Sequence, residues 1–194
     1  MTQSNEKVLL LRSCKQVDGK LISPSKDAHG FVWPNTVGEY IEAPDWNPDP
    51  TISCGQALHG LLWGEGHGEL LCNEKDAMGL VVEANSVDVL PANDGKNRFK
   101  GGTVVFIGTI YDAAKYIAEH GGIGKAIVFS TQTAGDDSTQ TAGWNSTQTA
   151  GDDSTQTAGD DSTQKAGWNS TQTAGDDSTQ TAGGNSTQTA GENT

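Results

Sequence analysis

From Ser130 to Asn193 one eight-residue phrase is written eight times: STQTAGDD, STQTAGWN, STQTAGDD, STQTAGDD, STQKAGWN, STQTAGDD, STQTAGGN and STQTAGEN. A fixed short period means one structural unit stacked on copies of itself. Residues 130–194 also contain no Leu, Ile, Val, Phe, Met, Cys or Pro. An oily centre is therefore excluded here, and an ordered interior has to be polar and hydrogen-bonded.

The alternation inside the phrase says how that interior is built. In a strand, Ser130, Gln132 and Ala134 point one way and Thr131 and Thr133 the other. Small Ser and Ala leave room for a thin core in which Gln amides stack from coil to coil. The threonines then stand in pairs on the outer face. Gly135 and its counterparts fall where the chain must turn, followed by turn-formers such as Asp-Asp and Asn.

One octad makes one strand and one corner, so two make a flattened, two-sided coil of 16 residues. Four coils result, 130–145, 146–161, 162–177 and 178–193. A three-sided coil of 24 competes, because 130–153 and 154–177 differ only at Thr141 versus Lys165. The 16-residue coil is preferred, since interchangeable half-coils also accommodate a duplication of three octads. It sets Asp136 beside Asp152 and Asp160 beside Asp176, with Trp144 facing away from Trp168; the 24-residue coil would stack the two tryptophans. The Asp columns read as a solvated acidic edge, because the GGxGxD pattern of calcium-binding rolls is absent.

Residues 1–129 hold all three cysteines, all four histidines and all six prolines, and enough apolar residues for a core of ordinary size. They read as a small α+β capping domain. Strands are expected at Val8–Leu11, Gly79–Ala84, Val87–Leu90 and Thr103–Ile107, with a turn at Val17-Asp18-Gly19-Lys20. Residues 24–50 form an irregular loop region with Trp33 and Trp46 over the edge of the core. Asp112 to His120 is an amphipathic helix ended by Gly121-Gly122. Ala126–Phe129 reads as a last strand whose edge pairs with the first repeat strand, so that the domain caps the solenoid.

The net charge of −13 argues against nucleic acid as a partner, since phosphate binding needs basic patches. The octads hold nine acids and a single lysine, Lys165. The apolar run near the start, Val8–Leu11, is too short for a transmembrane segment, and no small-residue cleavage site follows it. With three widely spaced cysteines, that favours reduced thiols and a cytoplasmic setting. Cys54, His59, His67 and Cys72 offer two thiolates and two imidazoles for a tetrahedral zinc, but the C-x4-H-x7-H-x4-C spacing is unusual and plain loop residues are the preferred reading. Cys–His pairs such as Cys54 with His59 or Cys14 with His29 lack an identifiable orienting group. The segment Gly64-Glu65-Gly66-His67-Gly68 lacks the Lys and helix of a phosphate loop. No catalytic residue and no cofactor is assigned, and the chain is not expected to be an enzyme.

Two resemblances follow from these residues. The segments GFVWP, APDWNPDP, CGQALHGLLWGEG, LVVE, GGTVVFIG and AAKYI resemble an uncharacterised domain of bacterial and phage proteins, which brings no activity with it. The phrase A-G-x-x-S-T-Q-T with 16-residue higher order resembles the central repeats of bacterial ice nucleation proteins. That resemblance implies a β-solenoid whose TxT rows order water into an ice-like layer; the alternative reading is a structural or surface-interaction module with the repeat as a spacer, since Thr is also a good exposed strand residue. On the resemblance, ice or ordered water would be the partner, and the cell surface or outer membrane the location. The matching positions are Thr131/Thr133, Thr139/Thr141, Thr147/Thr149, Thr155/Thr157, Thr163 (with Lys165), Thr171/Thr173, Thr179/Thr181 and Thr187/Thr189. The chain departs from the family where a tyrosine is usual after AG, which is Trp in two copies and Asp in four. Long arrays, the family's N-terminal domain and its basic terminal coils are missing as well. Four coils span only about 19 Å, so they are expected to nucleate ice poorly alone, and self-association through the open Ser186–Thr194 end would enlarge the patch.

Overall fold

The computed structural model describes residues 6–24, 31–52, 56–72, 74, 77–92 and 94–192. The chain forms two compact units, one from residues 1–64 and 69–120, the other from residues 65–68 and 121–194.

The first unit is a curled antiparallel sheet with one helix. Its strands are β1 (Lys7–Val17), β2 (Lys20–Ile22), β3 (Val32–Trp33), β4 (Tyr40–Glu42), β5 (Leu58–Leu62), β6 (Ala77–Asn85), β7 (Val89–Pro91), β8 (Asn97–Phe99) and β9 (Gly101–Gly108). They lie in the order β4-β9-β6-β1-β5-β8-β7, with β2 and β3 continuing from β1. Strand β1 is buried on both faces from Val8 to Leu11, which is why it reads as an unbroken apolar run and not as an alternation. It extends well past that run, to Val17, and turns back at Asp18 and Gly19, both at positive φ.

One side of the sheet holds the main core, with Val8, Leu10, Leu21, Trp33, Leu80, Val82, Phe99 and Val104. Helix α1 (Ile110–Glu119) packs on β6, β1 and β9 through a stripe of Ile110, Ala113, Ala114 and Ile117. Gly79 makes that approach possible, because a Cβ there would lie 2.8 Å from the Cβ of Ala113. The helix starts two residues earlier than expected, on an N-cap. The backbone N–H of Asp112 donates to Thr109 Oγ1 at 3.1 Å, and that hydroxyl donates to Asp112 Oδ2 at 2.7 Å.

Three expectations change in this unit, the first being that residues 24–50, read as an irregular loop region, contain β3 and β4. Val87–Leu90 is a 3-10 turn at Ser86–Asp88 followed by β7. Trp33 is fully inside the core, its indole N–H donating to Ser23 Oγ at 2.8 Å. The proline-rich loop is organised by Arg98, a residue without a distinctive sequence context. Its side chain is 0 % exposed and donates to the carbonyls of Asn47, Asp49 and Ile52 at 2.7–2.9 Å, with Trp46 under the guanidinium. Burying that charge is tolerable because these carbonyls replace water around it.

The second unit is a solenoid of four 16-residue coils. Its strands are β10 (Thr131–Thr133), β11 (Thr139–Thr141), β12 (Thr147–Thr149), β13 (Thr155–Thr157), β14 (Thr163–Lys165), β15 (Thr171–Thr173), β16 (Thr179–Thr181) and β17 (Thr187–Thr189). Alternate strands form two parallel sheets, β10-β12-β14-β16 and β11-β13-β15-β17. Register runs Thr131 to Thr147 to Thr163 to Thr179, an offset of 16 at each step. This excludes the 24-residue alternative.

Ala126–Phe129 is not a strand. Ile127 makes one isolated bridge to Glu65, and Val128 and Phe129 form a turn. The segment is a corner in register with the octads. The Phe129 N–H donates to Trp144 O, just as the Asp137 N–H donates to Asp152 O one octad later, and Gly143 N–H donates to Ile127 O as Gly151 N–H does to Gly135 O. Phe129 takes the left-handed conformation (φ 57°) that Asp137 and Asn145 take in their own corners. The first corner is thus an apolar version of Gly-Asp-Asp, with Ile127, Val128 and Phe129 essentially unexposed and Phe129 edge-on to Trp144 at 5.2 Å. It closes the end of the solenoid by burial and not by strand pairing. Around it, Glu65 Oε1 accepts from the Ala126 N–H at 3.1 Å, and Gly68 lies so close under the Trp144 ring that no side chain fits.

Candidate functional site

Two threonine lattices need a rigid base, and the interior supplies one. The Gln side chains form one amide ladder under each sheet. Gln148, Gln164 and Gln180 each donate from Nε2 to Oε1 of the Gln one coil earlier, at 2.8–3.1 Å. Gln156, Gln172 and Gln188 do the same from Gln140 onward, each at 2.8 Å. A second amide hydrogen crosses the core: Gln156 Nε2 donates to Lys165 O at 3.2 Å and Gln164 Nε2 to Thr173 O at 3.1 Å. Each ladder is therefore tied to the opposite sheet. Desolvating an amide without partners would be costly, so the stack holds only in this one register.

Serines make a second ladder in the opposite sense. The backbone N–H of Ser146 donates to Ser162 Oγ at 3.2 Å, that of Ser154 to Ser170 Oγ at 3.3 Å, and that of Ser162 to Ser178 Oγ at 3.1 Å. Alanines 142, 150, 158, 166 and 174 fill the remaining interior.

The corners hold the coils at a fixed spacing. Asp136 Oδ1 accepts from the Asp152 N–H, Asp152 Oδ1 from the Trp168 N–H, and Asp160 Oδ1 from the Asp176 N–H, at 2.7–2.9 Å. The acidic columns are thus structural acceptors as well as a charged edge. A Cβ on Gly151, Gly167 or Gly175 would collide with the carboxylate of Asp136, Asp152 or Asp160. The octad glycine is required for this close approach. The left-handed residue of the corner is the one that ends each octad, Asp137, Asn145, Asp153, Asp161, Asn169, Asp177 and Asn185, with φ of 52–60°. Every copy has Asp or Asn there, the two residues besides glycine that best tolerate this conformation. That signal was available in the sequence. Trp144 and Trp168 sit on opposite corners, and Trp168 is 64 % exposed.

On this base the threonines point outward. Thr131, Thr133, Thr147, Thr163, Thr179 and Thr181 are exposed and Thr149 is half-buried on the β10-β12-β14-β16 sheet, with Lys165 in line. Thr139, Thr155, Thr157, Thr171, Thr173, Thr187 and Thr189 are exposed and Thr141 is half-buried on the other sheet. Neighbours along a strand are about 6.8 Å apart and neighbours across strands about 4.8 Å. β-Branched side chains have few rotamers, and the threonines repeat in register from coil to coil. Strands β16 and β17 are the outer strands of their sheets among the described residues, and Ser178, Thr179, Gln180, Gln188 and Ala190 line a hollow in the last coil.

The Cys and His candidates are each described by their own surroundings. Cys54 and His29 lie outside the described residues. His59 is on β5 in the first unit, where its backbone carbonyl accepts from Arg12 at 3.2 Å and burial pushes its pKa down to about 4. Cys72 is also in the first unit, its N–H donating to Ser13 Oγ at 2.6 Å, whereas His67 belongs to the second. Burial holds the Cys14 thiol up at about 12, where it is no nucleophile at neutral pH. Among the described residues no three His, Cys, Asp or Glu side chains are grouped to hold a metal. No described helix is long and apolar enough to cross a membrane.

Residues 130–155 match the family described as ice nucleation protein repeat, in two copies. An ice nucleation protein of Xanthomonas campestris pv. translucens is 62 % identical over 114 residues, which is 58 % of this chain and 7 % of that protein. One from Pseudomonas fluorescens is 34 % identical over 118 residues, 60 % of this chain and 9 % of that protein. The Pantoea ananas protein InaU is 32 % identical over 116 residues, 59 % of this chain and 10 % of that protein. The aligned stretches are longer than the octad region, and the chain spans about a tenth or less of each relative. No solved structure matches.

Proposed function

We propose that the octad solenoid binds ice, or water ordered on the way to ice, through an outward face of threonine rows, without covalent catalysis. The observation that carries this reading is the in-register stacking of threonine pairs at constant spacing over hydrogen-bonded Gln and Ser ladders. Such a lattice anchors water at small entropic cost, because its hydroxyls are already fixed before water arrives. The match of residues 130–155 to ice nucleation protein repeats supports the same reading. Four coils offer a patch about 19 Å long. Ice-shaping and droplet-freezing assays test the proposal on the intact chain and on variants with outward threonines changed to Val or Lys. Altered crystal shape with the unmodified chain, lost in the variants, supports it. Behaviour indistinguishable from buffer contradicts it.

A further inference from the structure

The two threonine faces are unequal. The 16-residue register places Lys165 between Thr149 and Thr181 in the β10-β12-β14-β16 sheet. The β11-β13-β15-β17 sheet carries Thr139/Thr141, Thr155/Thr157, Thr171/Thr173 and Thr187/Thr189 with no interruption. A 24-residue coil would have distributed these residues over three faces, so the distinction exists only in the register observed.

Resting on the ice-binding reading above, we infer that the β11-β13-β15-β17 face is the surface that meets ice, and that Lys165 disables the other. The interior does not distinguish the faces, because both sheets stand over complete Gln ladders. The outer surface does. Lys165 is exposed, in the third of four strands, and its ammonium sits on a flexible four-carbon stem. An ammonium binds its own water strongly and moves with its stem, so it neither continues a fixed lattice of methyls and hydroxyls nor gives up its hydration to a crystal. Its reach covers the Thr149 and Thr181 positions on either side, which are its register partners. One lysine therefore breaks a four-strand patch, leaving Thr131/Thr133 on β10 as the pair outside its reach.

Lysines placed at equivalent positions on the two faces test this directly. The measurement is the fraction of intact protein taken into slowly growing ice, with far-UV circular dichroism confirming that the stack is intact. Thr157→Lys is expected to lower uptake by about tenfold, equivalent to about 1.4 kcal/mol, while Thr149→Lys leaves it unchanged. Should Thr157→Lys fail to fold, Thr171→Lys probes the same face. The decisive variant is the double substitution Thr157→Lys with Lys165→Thr, which repairs one face while spoiling the other and is expected to recover uptake. Equal losses from Thr149→Lys and Thr157→Lys, or no recovery in the double variant, overturn the assignment of the face. Absence of uptake by the unmodified chain overturns the ice-binding reading itself.

Discussion

The carboxylate of Asp160 occupies the space that a Cβ on Gly175 would need, and from there it accepts the backbone N–H of Asp176 at 2.9 Å. Glycine, aspartate and coil spacing are therefore one device. Gly175→Ala is expected to push the carboxylate out and break that hydrogen bond, at a cost of about 1–3 kcal/mol. Thermal unfolding followed by circular dichroism checks this. Gly135→Ala is the control, because open space surrounds a Cβ there and the cost should be small.

The Gln ladders predict a steeper response in the middle of the stack than at its end. Gln156→Ala removes the donor to Gln140 Oε1 and to Lys165 O, together with the acceptor of Gln172 Nε2. Stranding these buried groups should cost about 1–3 kcal/mol for each that water cannot reach. Gln188 is exposed and only donates to Gln172, so Gln188→Ala should cost well under half as much in urea unfolding.

Closure of the first coil depends on Phe129. The residue pays for a left-handed backbone with near-complete burial against Trp144. Phe129→Ala should destabilise the second unit by about 3 kcal/mol. Amide hydrogen exchange localises the effect: protection of Gly143, whose N–H donates to Ile127 O at 2.9 Å, should fall before that of Ala166 or Ala174.

Stability of the first unit should depend on His59. Burial and the Arg12 charge lower its pKa from about 6.5 to about 4 in the folded chain. The unfolded chain therefore takes up a proton first as pH falls, and stability decreases from about pH 6.5 down to about pH 4, below which this contribution is level. Urea midpoints across that range measure the slope. His59→Gln should flatten it.

The repeat was legible because period and alternation are direct consequences of strand geometry. Inward Ser, Gln and Ala and outward Thr follow from eight letters, which favour a 16-residue coil without excluding one of 24. The choice between 16 and 24 needed the register itself, since near-identical octads fit either. Ala126–Phe129 misled because four apolar residues resemble a strand, while the feature that matters, a left-handed residue at 129, is hidden by a bulky side chain. The glycine does stand at the corner, beside the Asp or Asn that makes the turn; hidden in the letters was that at 151, 167, 175 and 191 it makes room for the carboxylate of the neighbouring coil. In the first unit, β5 was missed because its glycine-rich surroundings read as loop, and Arg98 because its partners are backbone carbonyls some 50 positions away, which leave no trace in side-chain pattern.

Adsorption to ice is the property on which the threonine lattice stands or falls. Its most direct measurement is the concentration of the intact, fluorescently labelled chain inside a slowly growing ice hemisphere, compared with a non-binding protein of similar size and negative charge. Enrichment of the chain in ice over the surrounding liquid is the predicted result. Exclusion into the liquid to the same degree as the control would contradict the account.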